Sequence, residues 1–106
     1  MSARGTSNTN DRGSSAQRRA RKRWLLSEAA GFGGDGTTVR CYRCPAVLTY
    51  DSLTVDRRLP AILGGTYARP NCRPCCLRCN AVTGVELREL IKRGVVFVPG
   101  RELVAA

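Results

Sequence analysis

Six cysteines carry the most chemistry in this 106-residue chain, and they fall into two groups. The first is Cys41-Tyr-Arg-Cys44. The second is the stretch NCRPCCLRCN, residues 71–80, in which Cys72, Cys75, Cys76 and Cys79 lie between two asparagines. Cysteines two residues apart either form disulfides or hold a metal ion, and the redox compartment decides between them. The N-terminal MSARGTSNTNDRG has no apolar run behind its arginines, so no secretory signal is expected, and no segment reaches the length of a membrane span. A cytoplasmic chain with reduced thiols is therefore expected, a setting that favours zinc over disulfides.

Two overlapping pairs compete in the second group, Cys72 with Cys75 and Cys76 with Cys79. A zinc knuckle is stabilised when backbone N–H groups after its first cysteine donate to the thiolate. Pro74 lies between Cys72 and Cys75 and has no N–H to give. Cys76-Leu-Arg-Cys79 and Cys41-Tyr-Arg-Cys44 keep every donor. The spacing thus predicts a tetrahedral four-thiolate zinc site on Cys41, Cys44, Cys76 and Cys79, closed to catalysis, with Cys72 and Cys75 left as small buried residues. Only six residues are aromatic, so a metal staple would add folding free energy that a small core lacks.

The elements that would position these residues are short. Residues 1–13, rich in Ser, Gly, Asn and Thr, read as a disordered tail. Ser14 and Gln17 fit a capping box that opens a helix running to about Ala30, where GFGGDG ends it. Trp24 and Leu25, with Ala20, Leu26 and Ala29, would form its apolar side, and Arg18, Arg19, Arg21, Lys22 and Arg23 its basic one. TTVRCY, AVLTY and LTVDR, the last after a turn at Asp51-Ser52, predict an antiparallel β unit around the first cysteine pair. Gly64-Gly65 and Pro70 mark a loop. Thr83 and Glu86 fit a second capping box ahead of VELRELIKR, with Leu87, Leu90 and Ile91 on one face, Glu89 paired to Arg93, and Gly94 as the stop. VVFVP predicts a short edge strand ended by Pro99. The expected organisation is a tail over 1–13 and one domain over 14–106: the basic helix 14–30, a zinc-clipped core 37–84, and a helix and strand over 85–106.

The formal charge is +10, from 18 Lys and Arg against 8 Asp and Glu, and there is no histidine. Such an excess on a small body attracts polyanions, nucleic acid above all. The plainer alternative is a solubilising surface charge. The missing histidine excludes any chemistry that needs an imidazole base or ligand.

Between the two halves of the cysteine clip, residues 54–80 read TVDRRLPAILGGTYARPNCRPCCLRCN. The order Asp56, Pro60, Gly64, Gly65, Asn71, Cys76, Cys79, Asn80 resembles the core of the HNH endonucleases, in which a strand ending in Asp-His precedes a Pro, a Gly-Gly loop, a central Asn and a CxxC followed by His or Asn. The basic helix and GDGTTVRCYRC resemble the small HNH proteins of actinobacterial phages, so the resemblance covers residues 14–84. It implies a small α+β fold, a zinc-stapled ββα-metal domain. On that template Asp56 and Asn80 would be ligands of a catalytic Mg²⁺ or Mn²⁺, and Asn71 would orient the loop and the catalytic base through side-chain hydrogen bonds.

The chain departs from the family at Arg57, where the general-base histidine stands in the pattern. A guanidinium stays protonated and cannot accept the proton, but it can hold the scissile phosphate. A general base contributes about 10²–10⁴-fold, part of which a cation can replace by activating water. Water so activated, Asp51 and Tyr67 are all open as the acceptor. The function so implied is a metal-dependent endonuclease acting on DNA ahead of RNA, with catalytic residues Asp56, Arg57, Asn71 and Asn80. The basic helix and Arg57, Arg58, Arg69 and Arg73 would face phosphates, giving weak sequence preference and steep salt dependence. If phage-encoded, it would act in the bacterial cytoplasm beside DNA-processing or packaging partners. Two alternatives remain: a zinc module that binds DNA or RNA without cleaving it, and a zinc-stapled structural protein of a ribonucleoprotein. Read singly, Asp56 is a surface ion pair, and Asn71 and Asn80 are turn and cap residues.

Overall fold

The structure, a computed structural model, describes residues 12–96. Most of the expected tail and the Phe97–Pro99 part of the expected final strand lie outside the described residues.

Helix α1, Ser15–Leu26, opens as the sequence predicts. Ser14 Oγ accepts the Gln17 N–H at 3.1 Å and Gln17 Oε1 accepts the Ser14 N–H at 2.7 Å, so each side chain satisfies the other residue's otherwise unpaired backbone donor. The helix stops at Leu26 rather than Ala30. Ser27 is extended, and its hydroxyl donates to Trp24 O at 2.6 Å, turning the chain into a short 3₁₀ turn over Glu28–Ala30. A serine that competes for a backbone carbonyl in this way ends a helix without glycine or proline. Leu25 and Leu26 are buried and Trp24 is half-buried, but Ala20 and Ala29 are exposed and take no part in the apolar side.

Strands β1 (Val39–Arg40) and β2 (Val47–Leu48) pair antiparallel, and Cys41 and Cys44 sit in the segment between them. The LTVDR strand, β3 (Leu53–Arg57), follows a turn in which Leu53 N–H donates to Thr49 O and Thr49 N–H to Ser52 Oγ. It does not join the first two strands. Its partner is β4, Cys72–Cys76, with Leu53 opposite Cys76, Asp56 opposite Arg73 and Arg57 opposite Cys72. Pro74 turns its backbone away from β3, its carbonyl accepting the Tyr42 N–H at 2.9 Å, so its missing N–H costs the β3–β4 ladder no bond.

β4 runs directly into α2, Leu77–Lys92. Its N-cap is Cys76, whose Sγ accepts the Cys79 N–H at 3.3 Å, so the helix begins well before the Thr83–Glu86 box. Thr83 instead donates to Asn80 O, and Glu86 reaches across to Arg43. At the other end Gly94, with φ of 73°, donates to Ile91 O and Val95 N–H donates to Leu90 O, the paired bonds of a Schellman stop that only a left-handed residue permits. Glu89 approaches Lys92 at 3.9 Å rather than Arg93.

The described residues thus make a small α+β fold with two α-helices and two small antiparallel sheets. Leu25, Leu26, Val39, Leu48 and Leu53 form the core together with Cys41, Cys72 and Cys75. Helix α1 packs on β3 and β4 from one side, and α2 packs on the same strands. Among the described residues no helix is long and apolar enough to cross a membrane.

Candidate functional site

The Sγ atoms of Cys41, Cys44, Cys76 and Cys79 lie within 4.8 Å of one another. Cys44 and Cys76 are 3.8 Å apart, close to the edge of a tetrahedron with Zn–S bonds of about 2.3 Å. The four cysteines are placed to hold a metal ion, and a structural zinc suits them. Each first cysteine has an expected donor, the N–H of Arg43 approaching Cys41 Sγ at 3.4 Å and that of Cys79 approaching Cys76 Sγ at 3.3 Å, and the N–H of Cys76 adds an unexpected one to Cys41 Sγ at 3.4 Å. Burial resists ionisation of Cys41, but the N–H groups of Cys76, Arg43 and Cys44 outweigh it and bring the thiol down to about 6. Cys79, which shares hydrogen with Cys76 and is partly desolvated, is pushed up to about 12. A bound metal ion would replace these unequally held protons. Cys72 and Cys75 are buried, and burial raises both thiols, that of Cys75 to about 12. Arg43 also donates from both Nη atoms to Glu86, at 3.1 and 2.9 Å, so the first knuckle is tied to α2 by an ion pair as well as by thiols.

Beside this clip, β3, β4, α2 and the loop after β3 enclose a cleft of about 450 Å³ lined in part by Asp56, Arg57, Arg58, Tyr67, Arg73 and Asn80. Asp56 Oδ2 accepts Arg73 Nε–H at 2.6 Å across the sheet. Asn80 Nδ2 donates to Thr54 Oγ1 at 3.2 Å, and the Thr54 hydroxyl donates in turn to Cys75 O at 2.7 Å. This relay fixes which end of the Asn80 amide is committed, because a hydroxyl that has given its proton to a carbonyl can only accept from the amide N–H. Among the described residues, Asp56 Oδ1 and Asn80 Oδ1 have no hydrogen-bond partner.

Asn71 spends its side chain on the loop. Its Oδ1 accepts the Leu59 N–H at 2.8 Å, and its Nδ2 donates to Leu59 O and Thr66 O at 3.0 and 2.7 Å. Gly65 completes the clamp, since a Cβ there would overlap Leu59 O and sit 3.0 Å from Asn71 Nδ2. The Asn71 side chain touches loop backbone alone among the described residues. Arg57 lies with its guanidinium 4.2 Å over the Tyr67 ring, its Nη1 buried and without a hydrogen-bond partner among the described residues, and Arg21 from α1 lies 4.5 Å over the same ring. Asp51 is elsewhere: it lines a second cleft, of about 380 Å³, beside Arg23 and Tyr50.

Five further basic residues are also placed by aromatic rings. Lys22 and Arg23 lie over Tyr50, Arg58 over Phe32, Arg69 over Trp24 and Arg73 over Tyr42. Part of the expected solvated face of α1 is therefore folded onto rings, while Arg18 and Arg19 remain exposed. Arg57, Arg58 and Arg73 line the Asp56 cleft, and Arg69 does not. Two contributors escape sequence reasoning. Arg12 lines the cleft from what reads as tail, and Thr54 orients Asn80 through a strand pairing that no local pattern announces. No family model, curated protein or solved structure matches the chain, so its functional reading rests on these residues themselves.

Proposed function

We propose that the protein is a metal-dependent endonuclease of HNH type that hydrolyses DNA phosphodiester bonds in the cleft between β3, β4 and α2. One observation carries this reading: Asp56 from a strand and Asn80 from the following helix line a single cleft, each with one oxygen uncommitted among the described residues. A carboxylate and an amide oxygen are hard donors, and Mg²⁺ or Mn²⁺ needs only one or two such protein ligands when water and phosphate supply the rest. Held there, a divalent cation would polarise a phosphate oxygen and lower the pKa of a water molecule.

The chain's own groups do the remainder. Arg57 lines the cleft and has, among the described residues, an unpartnered buried Nη1 that a turn of the guanidinium toward a phosphate oxygen would satisfy. Tyr67 holds the Arg57 guanidinium in place by stacking. Thr54 keeps the Asn80 amide oriented, and Asn71 keeps the loop wall closed. Tyr67 is the one side chain of the expected proton acceptors that lines this cleft. Arg12 and Arg58 add positive charge at its walls, which draws a polyanion in.

A second reading has an observation of its own. The 2.6 Å pair between Asp56 and Arg73 gives the carboxylate a cation already, and with no histidine in the chain the site would suit a zinc-stapled module that binds DNA or RNA without cleaving it. A plasmid-nicking assay on the zinc-loaded chain with Mg²⁺ or Mn²⁺, beside Asp56→Ala and Arg57→His, separates the two. Nicking by the native chain that is lost in Asp56→Ala is the expected result. A silent native chain with an active Arg57→His variant would identify a site lacking only its base, and the binding reading would then hold.

A further inference from the structure

The carboxylate that the nuclease reading gives to a divalent cation is engaged by a cation of the chain's own. Arg73 stands opposite Asp56 in the β3–β4 register, with Nε 2.6 Å from Oδ2. Its guanidinium is propped 3.8 Å over the ring of Tyr42, whose N–H donates to the carbonyl of neighbouring Pro74 at 2.9 Å. The Asp56 side chain is 12% exposed and that of Arg73 24%, so water screens the pair only in part. The charge of the cleft acts in the same direction. Among the described residues four arginines, Arg12, Arg57, Arg58 and Arg73, line it against one carboxylate, that of Asp56. A divalent cation approaching Asp56 meets this excess of positive charge, whereas a phosphodiester is attracted by it.

We infer that Arg73 is a gate on the cation site: DNA phosphate enters first, draws the guanidinium away from Asp56, and thereby admits Mg²⁺ or Mn²⁺, which the free protein binds weakly. This rests on the reading of Asp56 and Asn80 as cation ligands. Arg73 acts through Asp56 and is a positioning residue. Linkage makes the effect reciprocal, so the factor by which DNA raises cation affinity is the factor by which the cation raises DNA affinity. A unit charge about 5 Å from a divalent ion, screened as in water, changes its affinity by about ten-fold, and less screening makes the change larger.

The test is the Mn²⁺ affinity of the full zinc-loaded chain, read by electron paramagnetic resonance with and without a short DNA duplex whose own Mn²⁺ binding is subtracted. Arg73→Gln is expected to bind Mn²⁺ about ten-fold more tightly than the native chain, Arg73→Lys is expected to resemble the native chain, and the gain is expected to vanish when Asp56→Asn is added. The duplex supplies phosphate ligands to both chains and should raise both affinities, but that of the native chain by about ten-fold more than that of Arg73→Gln. Equal Mn²⁺ affinities of the native chain and Arg73→Gln, or a duplex that strengthens both alike, would overturn the gate. If Arg73→Gln fails to retain zinc, the native chain decides alone: its affinity must rise with duplex and the rise must disappear in Asp56→Asn, and no rise overturns the inference. Nicking is scored separately. Gated Mn²⁺ binding without nicking keeps the gate and removes the nuclease, while nicking with ungated Mn²⁺ binding does the reverse.

Discussion

Asn71 replaces, with one side chain, the hydrogen bonds that the loop after β3 cannot make to itself. Three bonds run from its amide to Leu59 and Thr66, and its own carbonyl accepts the Arg58 N–H at 2.8 Å. Net contributions of about 0.5–1.5 kcal/mol per bond put the cost of Asn71→Ala at about 1.5–4.5 kcal/mol, measurable by urea unfolding of the zinc-loaded chain. Asn71→Asp should be no milder, because a carboxylate would face the carbonyls of Leu59 and Thr66 where an N–H₂ now donates. Gly65→Ala attacks the same clamp from the other side, since the new methyl would overlap Leu59 O, at a cost of about 1–3 kcal/mol. The two changes break one structure, so the double variant should lose less than the sum of the singles. A strictly additive result would mean that glycine and asparagine serve different parts of the loop. The same asparagine also shows how a residue is legible in part. Its place in the Gly-Gly and CxxC order marks it as a loop organiser, and the three carbonyl and amide partners agree, but among the described residues its side chain hydrogen-bonds no group that could act as a base.

At the scale of elements, the cysteine clip joins the β1–β2 hairpin to the junction of β4 and α2, with the Arg43–Glu86 pair as a second tie. Metal removal should therefore separate these elements together. Cys41→Ser and Cys76→Ser are expected to lose bound zinc and cooperative unfolding. Cys72→Ala and Cys75→Ala are expected to keep one zinc per chain by native mass spectrometry and to lose only about 1 kcal/mol each, the scale of one small buried group. Loss of zinc from Cys72→Ala would overturn the ligand assignment. This part of the fold is legible because it is local: a two-residue spacing, a proline that removes a donor, a Ser14–Gln17 box and a Gly94 stop each act within a few residues. The pairing of β3 with β4 is not local. CRPCC has no β-branched residue to announce a strand, and its register joins residues 53–57 to residues 72–76. The start of α2 is hidden for a related reason. Its cap is a cysteine thiol already committed to the clip, whereas the box-like Thr83 and Glu86 bond to Asn80 and Arg43. The Asp56–Arg73 pair and the Thr54–Asn80 relay follow from that same hidden pairing, so neither can be read from spacing.

On the scale of the whole molecule, the +10 charge is held in a particular way. Each aromatic ring among the described residues, Trp24, Phe32, Tyr42, Tyr50 and Tyr67, has a lysine or arginine over its face. Stacking leaves the charge intact and removes part of the rotamer freedom that a long side chain would otherwise lose on gripping a phosphate. Under the proposed DNA binding the ring would contribute to affinity without contributing a charge, and the two roles can be told apart by salt. For the proposed DNA binding, log K should fall linearly with log salt, with a slope set by the number of phosphates neutralised. Arg57→Gln removes one such contact and should lower both the affinity and the slope, the latter by about 1. Tyr67→Leu removes no charge but releases both Arg57 and Arg21, so it should weaken binding of a labelled duplex at every salt concentration while leaving the slope unchanged. Fluorescence anisotropy over a salt series, with Mg²⁺ withheld, reads both quantities for each variant. A Tyr67→Leu slope that falls in step with Arg57→Gln would mean that the arginines lose their phosphate contacts outright once the ring is gone, and that the ring creates the contact rather than ordering it. An unchanged affinity in Tyr67→Leu would mean that the stacked cations reach phosphate just as well without support, and the ring would then belong to the core alone.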